Sequence, residues 1–317
     1  MLLEALEGMN RGRPPVWLMR QAGRYLPEYQ ALRKKHTLRE MFFTPELAAK
    51  VTLMPLERFG VDAAILFSDI TAIAPAMGLQ LEFQEGPVVK PWVTAENWRF
   101  LPERLEALEP IAEAVRLVKG KTKVPLIGFC GGPFTVSTYL VEDGQWMERD
   151  PDGFGEWIDR LTEVSIASLQ RQIEAGADAV QIFDSWANLL SEEQFERYSL
   201  RPLKKIIEAI KRPVIVFMRG AAMRAEELAK LGPAAVSVDW ERPMSVLRKT
   251  VKIGLQGNLN PDVLFFPVKE VRATTRALLE EMKGDPAFIV NLGHGVKPGT
   301  PLEAVEALVS EVKSDLL

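Results

Sequence analysis

Short apolar runs alternate along the chain with longer segments that carry an apolar residue at every third or fourth position. Short apolar runs bounded by turn residues are typical of buried strands, and the longer pattern is typical of amphipathic helices. The pattern predicts eight strands, at residues 16–20, 63–67, 125–129, 179–183, 214–218, 235–238, 254–256 extending to 259, and 288–292. Parallel strands need helical crossovers, so eight strand–helix units predict a (β/α)8 TIM barrel, one domain over residues 1–317.

An open, doubly wound sheet is the alternative arrangement. The first predicted strand is not followed by Gly-x-Gly-x-x-Gly, the usual dinucleotide-binding pattern of such sheets. Residues 60–69 and 176–185 are similar in form: a glycine ends a helix, Asp-Ala enters a buried strand, and polar residues follow. Gly60 and Gly176 suit the left-handed position after a helix. We interpret this similarity as two related units of a barrel.

Several segments have readable boundaries. Asn260 precedes a proline and predicts a helix cap, and Thr300 with Glu303 predicts a capping box. Residues 156–175 have the pattern of an amphipathic helix packed on the barrel. Residues 71–110 and 131–155, rich in proline and glycine, are predicted to be extended strand-to-helix loops. Long loops of this kind lie on the functional face of a barrel.

Composition narrows the class of protein. The chain has 317 residues, a net charge of -4 and a single cysteine, Cys130. The charge argues against a nucleic-acid-binding protein, which would carry a basic stripe. One cysteine allows neither an internal disulfide nor a cysteine-rich metal site. No signal-peptide pattern and no apolar run long enough to cross a membrane is present, so we expect a cytoplasmic protein.

Polar side chains collect where the predicted strands end. The first strand leads into a loop with Arg20 and Arg24, and two guanidinium groups can grip carboxylates with paired hydrogen bonds. The other polar residues at strand ends are Ser68, Asp69, Cys130, Asp184, Ser185, Arg219, Asp239, Asn258, Asn260, Asn291 and His294. Taken singly, most have an ordinary structural explanation. An arginine can pair with Glu28, Asp69 can cap a helix, and Cys130 can fill a small buried space.

Taken together, these positions resemble a known family. The motifs are MRQAGRYLPEY at 19–29, GVDAAILFSDI at 60–70, GFCGGPFT at 128–135 with Tyr139, FDS at 183–185, QGNL at 256–259 and NLGHG at 291–295. They resemble the uroporphyrinogen decarboxylase family over essentially the whole chain. Three departures stand out: Cys130-Gly131-Gly132 replaces small residues, Met54 stands where glutamine is common, and Asn260 replaces an aspartate. None removes an expected site residue.

The resemblance implies an activity, which is removal of carbon dioxide from the four acetate arms of uroporphyrinogen III to give coproporphyrinogen III. In such a reaction the protonated pyrrole accepts the electrons that the departing carboxylate leaves behind, so the resemblance implies no cofactor and no metal. It also implies a homodimer with facing clefts.

The resemblance further implies roles for nine residues. Asp69, Arg20 and Tyr139 are expected to be catalytic: Asp69 accepts hydrogen bonds from pyrrole N–H groups and offsets positive charge, and Arg20 orients the scissile carboxylate. The expected substrate-binding residues are Arg20, Gln21, Arg24, Ile65, Asp69, Phe129, Tyr139, Ser185 and His294. Among these, Ile65 and Phe129 would form apolar walls, and Gln21 would hold a carboxylate.

Two other functions are compatible with the same scaffold. A zinc-dependent methyltransferase would need a soft metal site, for which the chain offers only Cys130 and His294, at the ends of different strands. A tetrapyrrole-binding protein without activity would not be expected to keep so many polar groups at strand ends.

Overall fold

The computed structural model describes residues 1–314, in which helices and strands alternate. The strands are β1 (Ala64–Ile65), β2 (Gln80–Phe83), β3 (Pro87–Lys90), β4 (Leu126–Gly131), β5 (Ala179–Phe183), β6 (Val214–Phe217), β7 (Ala235–Ser237), β8 (Gly254–Leu259) and β9 (Phe288–Leu292). The α-helices are α1 (Leu2–Leu6), α2 (Pro27–Arg33), α3 (Leu38–Phe43), α4 (Pro45–Phe59), α5 (Glu109–Lys119), α6 (Pro133–Leu140), α7 (Trp146–Arg149), α8 (Pro151–Glu174), α9 (Glu192–Phe195), α10 (Arg201–Ala209), α11 (Ala221–Ala229), α12 (Met244–Arg248), α13 (Val268–Glu281) and α14 (Leu302–Lys313).

Seven strands form one parallel sheet in the order β1-β4-β5-β6-β7-β8-β9. In its register Ile127 lies opposite both Ile65 and Ala179. Apart from the β2–β3 hairpin, which lies between β1 and β4, neighbours in the sheet are also consecutive strands along the chain, so each connection crosses over the same face with a helix. The fold is therefore mixed α/β with a curled parallel sheet, and seven of the eight predicted strands are present.

The first predicted strand, residues 16–20, is reduced to a single bridge. Val16 pairs with Val290 in parallel. The carbonyl of Val16 also accepts a hydrogen bond from the N–H of Asp62 at 2.8 Å. This segment thus lies between β9 and β1. After Val16, side chains accept the hydrogen bonds of the backbone N–H groups. Leu18 N–H donates to Gln21 Oε1 and Met19 N–H donates to Asn291 Oδ1, each at 3.0 Å. A regular strand cannot continue where its amides are used in this way.

Inward-pointing residues of the sheet pack into their own core. Trp17, Ile127, Ile215 and Ile289 are fully buried in this cluster. Leu2, Ala5 and Leu6 of α1 belong to the same cluster, so α1 covers the amino end of the sheet. Alternate residues of each strand point inward, as a curled sheet requires.

The helices form the outer layer, and α8 shows how sequence sets an element. The predicted helix at 156–175 lies inside it, with Trp157 and Leu161 fully buried. α8 begins earlier than predicted, at Pro151, because Asp150 Oδ1 accepts the N–H of Gly153 at 3.0 Å. An aspartate cap followed by proline is a strong helix start.

The predicted loop at 71–110 contains structure that the sequence pattern did not reveal. β2 and β3 pair in an antiparallel hairpin, with Leu81 opposite Val89. Both of these side chains are buried, whereas Gln80 and Lys90 are exposed. Four-residue strands give too few alternations to distinguish them from a loop by pattern alone.

The similarity between residues 60–69 and 176–185 has a structural basis. Gly60 and Gly176 have φ of 64° and 118°, as expected for glycines that end helices. Asp62 Oδ2 accepts the N–H of Val16 and Asp178 Oδ2 accepts the N–H of Leu126, each at 2.8 Å. Each aspartate therefore ties its own strand to the preceding segment at the amino end of the sheet.

The two predicted helix caps had different outcomes. Asn260 caps as predicted, its Oδ1 accepting the N–H of Asp262 at 2.9 Å. The capping box at Thr300 and Glu303 is wrong: α14 begins at Leu302 after Pro301, without a side-chain cap. The Thr300 hydroxyl instead donates to the carbonyl of Lys297 at 2.8 Å. The helix starts one residue later than the box requires, which places Thr300 outside it.

Candidate active site

A cleft of about 600 Å³ opens at the carboxyl ends of the strands. Eight of the nine predicted site residues line it: Arg20, Arg24, Ile65, Asp69, Phe129, Tyr139, Ser185 and His294. Strands β1, β4, β5 and the segment before β1 deliver most of them, because parallel strands all end at the same edge. A second depression, of about 560 Å³ between Arg39 and Arg104, contains none of them.

Arg20 is held in an unusual backbone conformation, with φ of 60°. Non-glycine residues rarely adopt this region, and such outliers often occur at functional sites. Gly295 makes room for its side chain, since a Cβ added there would lie 2.4 Å from Arg20 Cδ. Burial, and after it the charge of Arg24, lowers the pKa of Arg20 from its ordinary value. Such an environment favours binding of an anion.

Asp69 is anchored by its neighbour Thr71. Its Oδ1 accepts the Thr71 backbone N–H at 2.8 Å and the Thr71 hydroxyl at 2.5 Å. Within residues 1–314, Oδ2 accepts no hydrogen bond and Asp69 forms no ion pair. Burial raises the pKa of Asp69, while the Thr71 hydrogen bonds and the charge of Arg20 act against that rise. One carboxylate oxygen is thus fixed and the other is left for a ligand.

His294 is held as a neutral ring with a defined proton. Its Nδ1 accepts the N–H of Gly295 at 2.8 Å, which places the ring proton on Nε2. Burial, followed by the charges of Arg20, Arg219 and Lys297, lowers the pKa of His294 to about 4. At neutral pH the ring can therefore donate one hydrogen bond into the cleft.

Aromatic rings form the walls. Phe129 and Phe183 meet edge to face with centroids 5.5 Å apart, and Phe183 meets Phe217 in the same way at 5.8 Å. Tyr139 accepts a hydrogen bond from Trp186 Nε1 at 2.8 Å. Ile65 belongs to the core below these rings. The cleft combines apolar walls with a few polar groups, as small-molecule sites commonly do.

Gln21 is the one predicted site residue that the structure does not bring into the cleft. Its side chain is 1% exposed. Its Oε1 accepts the N–H of Leu18 and its Nε2 donates to the carbonyl of Ala63, both at 3.0 Å. The side-chain amide of Gln21 therefore joins the loop to the segment that enters β1. The position of Gln21 in the sequence, between two arginines that line the cleft, did not indicate this structural role.

Residues to which the sequence assigned no role also line the cleft. They include Arg219, Trp186, Phe183, Phe217, Arg33 and Lys297. Arg219 directly follows the predicted strand at 214–218. Its position at a strand end was the one feature of the sequence that could have indicated a place in the cleft. The planar group of Arg219 lies 4.1 Å from the ring centroid of Trp186.

Two buried groups lie outside the cleft lining. Cys130 is 2% exposed, and burial raises the pKa of its thiol. Asp184 is fully buried and accepts hydrogen bonds from the hydroxyls of Thr135, at 2.7 Å, and Ser199, at 2.5 Å.

Over residues 1–314, no group of three or more His, Cys, Asp or Glu side chains is arranged to hold a metal ion. In the same residues, no helix is both long and apolar enough to cross a membrane.

Comparisons with known proteins place this chain in a family. The model of the uroporphyrinogen decarboxylase (URO-D) family matches residues 1–314. A uroporphyrinogen decarboxylase of Protochlamydia amoebophila is 46% identical over 98% of this chain and 91% of its own length. One from Chelativorans is 40% identical over 100% of this chain and 98% of its own.

The fold also has a solved counterpart. A methyltransferase from Methanosarcina mazei superposes with a TM-score of 0.82 at 25% identity, covering 98% of this chain and 97% of that one. Its sequence is much less similar than those of the two decarboxylases. From the family match and these identities, the chain belongs to the uroporphyrinogen decarboxylase family.

Proposed function

We propose that this protein decarboxylates the four acetate side chains of uroporphyrinogen III, giving coproporphyrinogen III and four molecules of carbon dioxide in haem biosynthesis. Its family membership supports this activity. The observation that carries the proposal is the cleft itself. Arg20 and Arg24 make no ion pair within residues 1–314, and they face the same space as a half-buried carboxylate, Asp69.

The cations hold the substrate. Uroporphyrinogen carries eight carboxylates, and a guanidinium can bind a carboxylate with two parallel hydrogen bonds. Arg20 and Arg24 supply such groups, and His294 supplies one N–H donor from Nε2. Ser185 and Tyr139 add hydroxyls for the acetate or propionate arms. Phe129 and Ile65 contact the apolar faces of the macrocycle.

Asp69 stabilises the charged intermediate. A proton adds to a pyrrole ring carbon and gives an iminium-like cation. The C–C bond to the carboxylate then breaks, its electron pair neutralises the cation, and carbon dioxide leaves. Protonation of the resulting methylene carbon gives the methyl group, and loss of the first proton from the ring carbon restores the pyrrole. The carboxylate of Asp69 accepts hydrogen bonds from pyrrole N–H groups and lowers the energy of the cation, an effect that is often the largest in catalysis.

Arg20 orients the carboxylate that leaves. A guanidinium is a poor acid because its ordinary pKa lies far above neutral pH, so the role of Arg20 is positional. The left-handed backbone of Arg20 and the space at Gly295 fix the direction of its side chain. No step in this scheme requires a cofactor or a metal.

The carboxyl end of the sheet also offers a surface for a second copy of the chain. Exposed apolar side chains follow four consecutive strands, β5 to β8: Leu189, Met223, Trp240, Phe265 and Phe266. We infer a homodimer whose partner covers these residues and faces the cleft. Sedimentation should give twice 35.5 kDa. Phe266→Glu should yield monomer, whereas Phe100→Glu, at a more exposed site elsewhere, should not.

We also propose that the sheet closes into an eight-stranded barrel and that the chain is one domain. The bridge at Val16 supports the closure. The segment pairs with β9 on one side and is bonded to Asp62, just before β1, on the other. A segment with neighbours on both sides occupies the place of an eighth strand.

The activity is tested by anaerobic incubation of purified, EDTA-treated protein with uroporphyrinogen III. Products are then oxidised and separated by carboxylate count. We expect porphyrins with seven, six, five and finally four carboxylates. Unchanged substrate would overturn the proposal, and a zinc-binding assay would then test the methyltransferase-like alternative. Asp69→Asn protein serves as the control for spontaneous loss of carboxylates.

A further inference from the structure

Arg219 differs from most arginines of this protein in having no polar partner. Within residues 1–314 its side chain forms no ion pair and no hydrogen bond, and its Nε is buried. A buried donor without an acceptor costs about 1–3 kcal/mol, so such groups usually have a function. Arg219 lines the cleft and follows β6.

A stacking contact fixes the position of this arginine. Its guanidinium carbon lies 4.1 Å from the centroid of the Trp186 ring. Stacking uses the face of the guanidinium and leaves the two terminal NH2 groups, which lie in its plane, available for an acceptor. The charge of Arg219 reaches the site, because it contributes to the lowered pKa values of both Arg20 and His294.

The same tryptophan orients the hydroxyl of Tyr139 through a hydrogen bond. Trp186 Nε1 lies 2.8 Å from the Tyr139 hydroxyl. An indole nitrogen can only donate, so the hydroxyl must accept and its own hydrogen is free to donate elsewhere. The backbone N–H of Trp186 is itself bonded to the Thr135 hydroxyl at 2.9 Å, and that hydroxyl donates to the buried Asp184. Trp186 is thus rigidly placed between two cleft donors.

We propose that Arg219 and Tyr139, both positioned by Trp186, bind one side-chain carboxylate of the substrate, separate from the carboxylates held by Arg20 and Arg24. This inference rests on the proposed function and extends it. Arg219 binds substrate, and Trp186 is a positioning residue. A macrocycle with carboxylates around its whole edge needs cations on more than one side of the cleft, and Arg219 lies after a different strand from Arg20.

The test compares Arg219→Gln with a matched control. Arg224 also stacks on an aromatic ring, Phe195, at 4.6 Å, but it is paired with Glu192. Steady-state kinetics with uroporphyrinogen III should show kcat/KM reduced roughly ten- to hundredfold in Arg219→Gln, mainly through KM, as for loss of a charged hydrogen bond. Arg219→Lys should recover part of the loss, and Arg224→Gln should match wild type.

Two further measurements separate binding from folding. Titration with oxidised uroporphyrin III should show weaker binding and a shallower salt dependence for Arg219→Gln. Trp186→Phe keeps a ring for stacking but removes the donor to Tyr139. It should raise KM, and adding Tyr139→Phe to it should cost little more.

The outcomes distinguish this inference from the proposed function. If wild-type protein does not act on uroporphyrinogen III, the proposed function fails. If wild type is active and Arg219→Gln is within threefold of Arg224→Gln in KM, the inference is overturned. A KM for Trp186→Phe equal to that of wild type would overturn the positioning role of Trp186.

Discussion

Arginines at the two ends of the parallel sheet have opposite environments. At the amino end, Arg13 makes a two-pronged pair with Asp62 at 2.7 and 2.8 Å. Arg248 pairs with Asp285 at 2.5 Å and also donates to backbone carbonyls. At the carboxyl end, Arg20, Arg24 and Arg219 have no carboxylate partner within residues 1–314.

The difference shows how one residue type serves two purposes. At the amino end α1 closes the sheet, and the acids Asp62 and Asp285 satisfy the half-buried Arg13 and Arg248. At the carboxyl end Arg20 and Arg24 are exposed and Arg219 is half-buried, and these cations are left for an anionic ligand. Barrel enzymes commonly divide stability and activity between their two ends in this way. Substitutions at the two ends should therefore have separable effects.

The largest effect should come from Asp69→Asn. Loss of its charge removes the group that offsets the pyrrole cation, and kcat should fall about a hundred- to a thousandfold, on the order of 3–4 kcal/mol. Product analysis under anaerobic conditions measures it. Asp152→Asn, at a carboxylate that is 92% exposed, is the control. Activity of Asp69→Asn within threefold of wild type would contradict the role of Asp69.

At the opposite end, Asp62→Asn should reduce stability and leave activity intact. The change leaves Arg13 without its charged partner and weakens the bond to Val16, so the free energy of unfolding should fall by about 3 kcal/mol. Urea denaturation measures this, and kcat at 25 °C should equal that of wild type. A loss of kcat in fully folded Asp62→Asn protein would break the comparison between the two ends.

Gly295→Ala should have a smaller effect, confined to the cleft. The new methyl group would meet the Arg20 side chain and displace the guanidinium. Misplacing an orienting group should reduce kcat/KM about tenfold, or roughly 1.4 kcal/mol. Gly299→Ala tests a glycine with no atom near the added carbon, although its positive φ of 79° adds backbone strain there. Equal activity losses in the two variants would show that Arg20 is not involved.

The last expected effect is a pH dependence of stability that comes from His294. Its pKa in the folded protein is about 4, below the 6.5 of an unperturbed histidine. Between these values the unfolded chain binds more protons, so this contribution to stability is complete above pH 6.5 and decreases as pH falls toward 4. Urea denaturation at pH 7.5 and pH 5 should show a smaller decrease for His294→Gln than for wild type. An identical decrease would contradict the lowered pKa of His294.

Local pattern was sufficient for much of the fold. Apolar runs located seven strands, and glycines such as Gly60 marked where helices end. The same pattern predicted a full strand at 16–20, where the structure has only a single bridge. It could not show that the side chains of Gln21 and Asn291 would accept hydrogen bonds from the backbone N–H groups of this segment. It also missed the β2–β3 hairpin, whose short strands owe their pairing to tertiary context.

The candidate site was only partly predictable. Strand-end position and the motifs identified eight residues that line the cleft, including Asp69 and His294. Gln21 is adjacent in sequence to Arg20, yet its amide joins the backbone at Leu18 and Ala63. Adjacency in sequence does not fix the direction of a side chain in a turn.

The sequence by itself determined the alternation of strands and helices and the family, because hydrophobic periodicity and motifs are properties of neighbouring residues. Only the tertiary structure decided which arginines are paired. Arg219 and Trp186 lie after different strands, and their contact exists because β5 and β6 are neighbours in the sheet. The Arg13–Asp62 and Arg248–Asp285 pairs also join segments that are far apart in the sequence, so whether these charges are satisfied depends on neighbours that only folding brings together.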